Sequence, residues 1–483
     1  MRCESQSPAG VMENHYNSND MKRDLMTLDI EKKANKMLTR HTKIIVNTIK
    51  KWINPIAIYL TGSFGRGEGA VFLNDDKILP LRDYDVLIIT LKPISHQILY
   101  RIKKEIEKKI GIPFVHFSKG DRYPFEVWLT QLTVQDLKVI PVLKVMDVKY
   151  SAKLLWGKDI RDIIEVEPHD LSIYNVFMIL GGFLSGIIYE LDPRVLQNTK
   201  FCWRRVDLVY QCLKIYIEMS TALLLLKGTY APSFGERVNH FSEVYDSQFH
   251  LLSAIRPDLP NRMRVALETR RTLTKEVFDR DKINLPEMLH HTMEDTELIF
   301  EYFITETTGK KIGKEPLSDW LFENARWIMP LLLSDLFGRY LTRKRIFSIK
   351  STTRFISNVY LIKSSLIAYR VARKIGLPVK IGVILRPGLL LELYAIAFDL
   401  IKYVVSPNRN DEHMAKAIDK CSKILDLRKL GIFRSTNSGS LHGLIIVTRL
   451  LLKITDGVVH NKSIPQQLDY PLRTDSAENA QNF

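Results

Sequence analysis

A glycine-rich loop that follows a short apolar segment constrains the fold more than any other feature of the sequence. Four glycines fall within residues 62–69, directly after the apolar residues 56–61. Glycines at this density are typical of a loop whose backbone turns tightly or closely approaches a ligand. We therefore expect a buried strand that ends in a loop, where backbone N–H groups from Gly62 onward and the Ser63 hydroxyl bind phosphate oxygens.

The glycine spacing excludes two common phosphate-binding motifs. A Walker A loop requires GxxxxGK[ST], which is missing from the sequence. A dinucleotide-binding fingerprint requires GxGxxG, whereas these glycines are residues 62, 65, 67 and 69. The chemistry of the loop therefore depends on the residues that follow it.

Two aspartates, Asp83 and Asp85, open the next apolar segment, residues 84–91. Alternate side chains of a strand lie on the same face, so these carboxylates would repel each other unless a cation lies between them. Mg²⁺ prefers carboxylate oxygens and keeps its other positions for water and substrate phosphate. The pair predicts a divalent metal site, with Mg²⁺ as the expected ion and Mn²⁺ as the alternative.

The residues around these motifs are expected to form a compact α/β unit. Apolar periodicity predicts helices over residues 29–53, 94–110 and 134–155. It predicts strands over residues 56–61, 84–91, 112–117 and 125–129, and a hairpin over residues 71–81.

Together these motifs resemble the nucleotidyltransferase superfamily that includes DNA polymerase β, CCA-adding enzymes, poly(A) polymerases and antibiotic nucleotidyltransferases. Residues 62–67, Gly-Ser-Phe-Gly-Arg-Gly, are similar to its GSxxRG opening, and Asp83-Tyr-Asp85 is similar to its paired metal ligands. Residues 154–160 resemble the segment that often closes its catalytic domain. Ser63 and Asp83 are twenty residues apart, a longer separation than in many members, and the predicted hairpin accommodates the excess.

From residue 171 onward, apolar residues recur at intervals of three and four, which predicts helices to about residue 458. The predicted fold class is therefore α+β, with a polymerase β-like domain built on a small mixed sheet, followed by a large all-helical region. The predicted domains are residues 26–168 (catalytic), 169–310 (helical) and 311–460 (C-terminal helical), with residues 308–316 as a linker. The polar tails 1–25 and 461–483 are expected to be disordered.

The resemblance implies a third carboxylate on a neighbouring strand. Glu126 alternates with the apolar residues Phe125 and Val127, so its side chain is expected to face away from theirs. In such enzymes a third acid would either remove the proton from the hydroxyl group that accepts the nucleotide or complete a metal site. Asp121 and Asp136 are the alternatives.

The resemblance implies a nucleoside triphosphate as substrate, and three cationic side chains are candidates for binding it. Arg66 lies within the glycine loop, and the resemblance implies that the helical region supplies others, for which Lys214 and Arg237 are the candidates. Each has an ordinary alternative role, because helical lysines often extend along apolar surfaces and arginines near helix starts often form ion pairs.

The chain carries a net charge of +16, which attracts polyanions without specifying the fold. Residues 331–380 hold eleven lysines and arginines against the single acid Asp335, with aromatic residues interleaved. This pattern is typical of a polyanion-binding face or of the solvated face of a helical bundle.

Several absences favour a cytoplasmic protein. The sequence has no run of about 18 uncharged apolar residues, as a membrane span requires, and its N-terminus has no apolar signal-peptide segment. The four cysteines show neither a CxxC pair nor a disulfide-like spacing, so we expect no structural zinc.

The resemblance implies Mg²⁺-dependent transfer of a nucleoside monophosphate from a triphosphate to a hydroxyl acceptor, with release of pyrophosphate. No RNA-binding signature is present in the sequence, so a small molecule or sugar is the expected acceptor. The alternatives are terminal nucleotide addition to RNA, a catalytically inactive nucleic-acid-binding protein of the same fold, and a helical scaffold regulated by nucleotide.

The choice of acceptor leads to a first prediction. Because charge alone gives salt-sensitive binding, the amount of single-stranded RNA and tRNA that the protein retains on a filter should fall steeply between about 50 and 200 mM salt. Nucleotide incorporation, followed in parallel, should not extend an RNA 3′ end. Tight binding at the higher salt, together with an extended 3′ end, would contradict the prediction and support an RNA-directed enzyme.

Overall fold

The structure is a computed structural model. It describes residues 18–455, with gaps at residues 75–76, 112–124, 198–201, 272, 274–282, 344–349, 375–376, 378, 381–387, 407–410, 426–440, 442–443, 446, 450 and 453–454. The predicted disordered tail at residues 461–483 lies outside the described residues, as do residues 1–17 of the other tail and the predicted strand over residues 112–117.

The N-terminal part is built on a mixed four-stranded sheet. Its strands are β1 (Ala57–Thr61), β4 (Arg82–Thr90), β5 (Phe125–Thr133) and β6 (Lys153–Gly157), in the order β5-β4-β1-β6. Strand β1 is antiparallel to β4 and β6, whereas β4 and β5 are parallel. The small mixed sheet of the predicted α+β fold is therefore confirmed.

The predicted hairpin between the glycine loop and the aspartates is also confirmed. Strands β2 (Val71–Asn74) and β3 (Lys77–Pro80) pair antiparallel, and the Leu81 N–H donates to the Ala70 carbonyl at 2.9 Å, which closes the base of the excursion. The chain then returns to the sheet beside β1. The hairpin thus accounts for the long separation between Ser63 and Asp83.

The prediction of one helix over residues 134–155 is wrong. The chain forms two short helices, α4 (Val134–Val139) and α5 (Leu143–Tyr150), and then strand β6. A residue before proline is disfavoured in helical conformation, and Ile140 before Pro141 is extended, so α4 ends there. Strand β6 forms because it pairs with the free side of β1, a partner that local periodicity does not reveal.

Two helices pack on one face of the sheet. Helix α1 (Ser18–Trp52) begins before the predicted tail boundary at residue 25, and α3 (His96–Ile110) lies beside it. Their apolar residues are buried with the side chain of Tyr84, the residue between the two aspartates. The aspartates therefore lie on the opposite face of β4.

The rest of the described chain is almost entirely helical, as predicted. The single turn α2 (Gly62–Gly65) belongs to the glycine loop; the later helices are α6 (Ile173–Glu190), α7 (Pro193–Gln197), α8 (Trp203–Leu226), α9 (Phe234–Gln248), α10 (His250–Ile255), α11 (Leu259–Arg271), α12 (Leu285–Thr308), α13 (Leu317–Arg343), α14 (Lys350–Lys374), α15 (Leu389–Val405) and α16 (Asp411–Ile424). The predicted linker lies between α12 and α13.

One continuous apolar core joins the N-terminal sheet to the helices. A Cβ on Gly181 of α6 would lie 2.3 Å from the Tyr394 ring of α15, so these two helices approach closely. Phe300 of α12 packs edge-on against Phe398 of α15, with ring centroids 5.5 Å apart. These two contacts cross the predicted boundary at residue 310, and the continuous core also crosses that at residue 168. The division into domains stays a prediction.

Helices α6 and α8 are long and apolar enough to span a membrane by length and composition alone. Their most apolar windows are 72% and 89% buried inside the protein, as expected of core helices. Helix α15, another strongly apolar segment, is likewise buried among its neighbours. Residues 381–405 contain Arg386, Glu392, Asp399 and Lys402, which predicts a buried helix and not a membrane span, and the burial of α15 agrees with this prediction.

Burial of His41 leads to a second prediction. Its Nδ1 is 3.0 Å from the Tyr84 hydroxyl, and burial, followed by Arg40, lowers the His41 pKa from 6.5 to about 4. A depressed folded-state pKa contributes stability that is complete above pH 6.5 and is lost as pH falls towards 4. Urea unfolding should show that wild type loses about 2 kcal/mol more than His41→Gln between pH 7 and pH 4.5. Equal losses would contradict a neutral buried His41.

Candidate functional site

The glycine loop packs directly against the second aspartate. Gly62 has a φ of 64°, in the left-handed region that favours glycine, and a Cβ at this position would lie 2.4 Å from Asp85 Oδ2. The Glu68 N–H donates to the Ser63 carbonyl at 2.8 Å, which folds the loop back on itself. Glycine at position 62 therefore permits a close approach between the loop backbone and the carboxylate.

Asp83 and Asp85 share one face of β4, as the sequence predicts. The preceding residue, Arg82, has a backbone φ of 74°, which is unusual for any residue other than glycine. Its Nη1 donates to Asp207 Oδ2 of α8 at 2.6 Å, and Asp207 is buried. An ion pair with the helical region thus holds the strained residue that begins the acid-bearing strand.

A polar stripe on helix α8 faces this part of the sheet domain. Its members are separated by four, three, four and three residues and so occupy one side of the helix: Asp207, Gln211, Lys214, Glu218 and Thr221. Gln211 lies against the Arg82 guanidinium, and Thr221 Oγ1 accepts from Arg237 Nη1 at 3.3 Å. The remainder of α8 is largely apolar and buried.

This stripe is the signal that sequence reasoning missed. The apolar residues Val206, Val209, Leu213 and Ile217 predict this helix, but its polar positions repeat at the same helical interval. Five polar residues in register on a helix otherwise suited to a core indicate a buried partner with complementary groups. Lys214, identified alone as a candidate, belongs to this set.

Lysines of α5 and α8 act on the second aspartate. Burial raises the pKa of Asp85, and the negative charge of Asp83 raises it further. The positive charges of Lys144 and Lys214 oppose this rise. Burial lowers the pKa of Lys214, but Asp83, Tyr210 and Glu218 outweigh this effect, so the pKa is raised overall. Lys214 therefore lies close enough to both aspartates for its charge to act on them.

Lys144 of α5 is a second lysine at the site, and the sequence analysis did not identify it. Its Nζ donates to Thr130 Oγ1 of β5 at 2.8 Å and to Asp85 Oδ1 at 3.4 Å. No local motif marks this lysine, because its proximity to Asp85 depends on how α5 packs beside the sheet. It is only partly buried, with 28% of its side chain exposed.

The candidate third acid lies on the same face as the pair. Glu126 of β5 is directly opposite Asp83 in the parallel register, and its carboxylate forms an ion pair with Lys103 of α3. Asp136 instead caps α4: its carboxylate accepts from the Thr133 N–H and hydroxyl at 3.2 and 2.7 Å. Asp121 lies outside the described residues.

The acid pair has no third protein ligand of the usual kind nearby in the part of the chain that the structure describes. No group of three or more His, Cys, Asp or Glu residues that could hold a metal ion occurs among those residues. Mg²⁺ is usually bound by only one or two carboxylates and keeps water and substrate phosphate as its other ligands. A Mg²⁺ site at Asp83 and Asp85 therefore stays a prediction.

Arg66 and Arg237 meet at a buried carboxylate. Asp147 of α5 accepts from Arg66 Nη1 at 3.4 Å, from Arg237 Nη2 at 3.3 Å and from the Tyr230 hydroxyl at 2.8 Å. The two arginine side chains are only 5% and 2% exposed. Both guanidinium groups are thus engaged inside the protein, which favours the ion-pair role over direct phosphate binding.

Glu68 joins the far end of the glycine loop to helix α9. Its carboxylate accepts from the Phe234 N–H at 2.9 Å, the Gly235 N–H at 3.2 Å and Arg66 Nε at 3.1 Å. The Glu68 carbonyl accepts from Arg270 Nη1 at 2.9 Å. The helical region therefore holds the loop by both its side chain and its backbone.

The basic stretch of the helical region remains a candidate for polyanion binding. Arg339 is engaged by Asp335 and by the His169 carbonyl, whereas Lys363 and Arg370 of α14 are exposed. Residues 344–349 of this stretch lie outside the described residues. A polyanion-binding role for the stretch stays a prediction.

Comparisons with models of known protein families, with curated proteins and with solved structures found no match for this chain. The resemblance to nucleotidyltransferases therefore rests on the glycine loop and the acid pair. What the site does must be argued from its own residues.

Two glycines with the same backbone conformation provide a matched test of the loop. Gly62 and Gly67 both have positive φ, but a Cβ at Gly67 meets no atom within 4 Å. Alanine at either position should cost about 1–2 kcal/mol of stability through its left-handed conformation. Only Gly62→Ala should weaken triphosphate binding, measured by calorimetry with Mg²⁺, because only that methyl group collides with Asp85. Equal affinities of the two variants would argue against a phosphate-binding loop.

Proposed function

We propose that this chain is a Mg²⁺-dependent nucleotidyltransferase that transfers a nucleoside monophosphate from a triphosphate to a hydroxyl of a small molecule or sugar. The observation that carries the proposal is the close approach of the Gly62 backbone to the carboxylate of Asp85, beside Asp83, which leaves no room for a Cβ at position 62. A triphosphate along the loop would bring its α-phosphate next to the acid pair. Neither motif alone has this implication, since glycine turns and surface aspartates are common.

The acid pair suits a divalent cation. Burial raises the pKa of Asp85 even though Lys144 and Lys214 oppose the rise, so the chain compensates this negative charge incompletely. Asp83 and Asp85 would hold Mg²⁺, with water and phosphate as its other ligands. The bound ion would supply electrostatic stabilisation of the charge on the transferred phosphoryl group.

Lys144 and Lys214 are the cations best placed to bind phosphate oxygens. They approach the acid pair from different elements, α5 and α8, and both act on the pKa of Asp85. Arg66 and Arg237 would instead keep the glycine loop in position through Asp147. This assignment divides the candidate cations into two that contact substrate and two that position the site.

The reaction exchanges one phosphorus–oxygen bond for another. The acceptor oxygen bonds to the α-phosphorus while the bond from that phosphorus to the bridging oxygen breaks, which releases pyrophosphate. The acceptor proton passes to a base, for which Glu126 is the candidate because it lies beside Asp83 in the sheet register. Lys103 holds the Glu126 carboxylate at the edge of the sheet.

A second candidate function is nucleotide or nucleic-acid binding without catalysis. It is favoured by the contacts of Lys144 with Asp85 and of Lys103 with Glu126, because these acids already have a cation of the chain beside them. Triphosphate turnover distinguishes the two functions, whereas triphosphate binding does not.

The acid pair provides the decisive test. The chain is incubated with each of the four labelled triphosphates, Mg²⁺ and a cell extract separated into small molecules, RNA and protein. Wild type should release pyrophosphate and label the small-molecule fraction, whereas Asp83→Asn and Asp85→Asn should each lose at least about a thousandfold in rate. Both variants should stay folded, because the substitution relieves repulsion between neighbouring carboxylates.

An aspartate away from the site serves as the control. Asp246 of α9 is exposed, and Asp246→Asn should keep the wild-type rate. Turnover within a few-fold of wild type in Asp83→Asn or Asp85→Asn would refute the catalytic assignment. Triphosphate binding without turnover in wild type would instead support the second candidate function.

A further inference from the structure

An exposed tryptophan lies on the face of the sheet that carries the acids. Trp128 of β5 is directly opposite Asp85 in the parallel register, so both side chains project from the same face. Its neighbours in the strand, Phe125 and Val127, are buried on the other face, where Phe125 packs against Tyr84. Trp128 is 41% exposed, although an indole is a large apolar group.

The strand order places Trp128 and the glycine loop on opposite sides of the acids. The loop follows β1 and the tryptophan belongs to β5, with β4 and its aspartates between them. In phosphoryl transfer the attacking and leaving oxygens lie roughly in line. A triphosphate whose pyrophosphate lies at the loop would therefore meet its acceptor from the β5 side.

The surroundings of the indole suit a polar molecule with a flat ring. Lys103 Nζ lies 5.0 Å from the ring centroid and also pairs with Glu126, so charged groups border the ring. Among the strands that the structure describes, β5 lies at the edge of the sheet, so none of these strands pairs with its outer side. Indole faces bind planar rings such as nucleobases and the apolar faces of sugars.

We propose that Trp128 is the platform on which the acceptor stacks its ring. This inference rests on the proposed function, because it identifies the acceptor side of the same site. The ligand class is a small hydroxyl-bearing molecule with a ring face that stacks on indole, which a nucleoside supplies through its planar base and a glycoside through the apolar face of its sugar ring. Stacking would hold the acceptor hydroxyl between Glu126 and the acid pair.

Fluorine NMR of the protein labelled with 5-fluorotryptophan tests the platform directly. The Trp128 resonance is the one missing from the Trp128→Phe spectrum, and Trp52, which is 38% exposed on α1, is the matched control. Adenosine, uridine and methyl glucoside are titrated separately. At least one probe should shift the Trp128 resonance saturably and leave that of Trp52 unchanged. If no probe does so, or if both resonances move together, the proposal is overturned.

Two variants separate stacking from a purely structural role. Trp128→Leu should weaken binding of the active probe at least about fivefold, whereas Trp128→Phe should retain most of it. Trp52→Leu removes the exposed control indole on α1 and should leave probe binding within about twofold. If Trp128→Leu binds the probe as well as wild type does, the platform is refuted.

Triphosphate turnover is measured in parallel so that the two proposals fail separately. Probe binding at Trp128 in a chain without turnover would reject nucleotidyl transfer and support the ring-binding site. Turnover that proceeds with the same acceptor KM in wild type and Trp128→Leu would support nucleotidyl transfer and reject the platform. A raised acceptor KM in Trp128→Leu, with an unchanged triphosphate KM, is the result expected when both are correct.

Discussion

Charge pairing between helix α8 and the sheet domain is the interaction on which the candidate site depends. Burying a charge is costly unless an opposite charge and hydrogen bonds compensate it. The Arg82–Asp207 pair joins β4 to α8, and Lys214 faces the aspartates that follow Arg82. The strand that carries the acids and the helix that carries the cation therefore position each other. Loss of Arg82 or Asp207 would leave the other charge of that pair uncompensated in the interior.

A second set of contacts gives the glycine loop its shape. Asp147 brings Arg66 and Arg237 together, and Glu68 ties the loop to the first residues of α9. Glycines make such a loop flexible in isolation, because they have many accessible conformations. The helical region removes that freedom before a ligand binds, which is the kind of preorganisation that a phosphate site requires. The large helical region thus forms part of the candidate site.

The same arrangement explains the unusual composition of α8. Most of its residues are buried, and its length and hydropathy match those of a membrane-spanning helix. Its polar stripe from Asp207 to Thr221 would be costly in lipid, but here Asp207 pairs with Arg82 of β4 and Thr221 accepts from Arg237 of α9. The protein interior provides both surroundings that α8 requires, because apolar neighbours cover most of the helix and charged residues contact its polar stripe.

The sequence by itself determined the features that depend on local geometry. The alternation of strand side chains placed Asp83 and Asp85 on one face, and helical periodicity distinguished the long C-terminal region from the sheet domain. The hairpin at residues 71–81 followed from its short apolar pieces around turn residues. These properties depend on neighbouring residues, so they could be predicted without knowledge of the fold.

Only the tertiary structure decided which distant residues meet. Lys144 and Asp147 carry no motif, and their contacts with Asp85, Arg66 and Arg237 depend on how α5 packs. Residues 153–157 form strand β6 and not the end of a helix because they pair with β1. Asp136, an alternative for the third acid, instead caps α4. Charge compensation acts between residues that are far apart in the chain, and the sequence records their types without recording their partners.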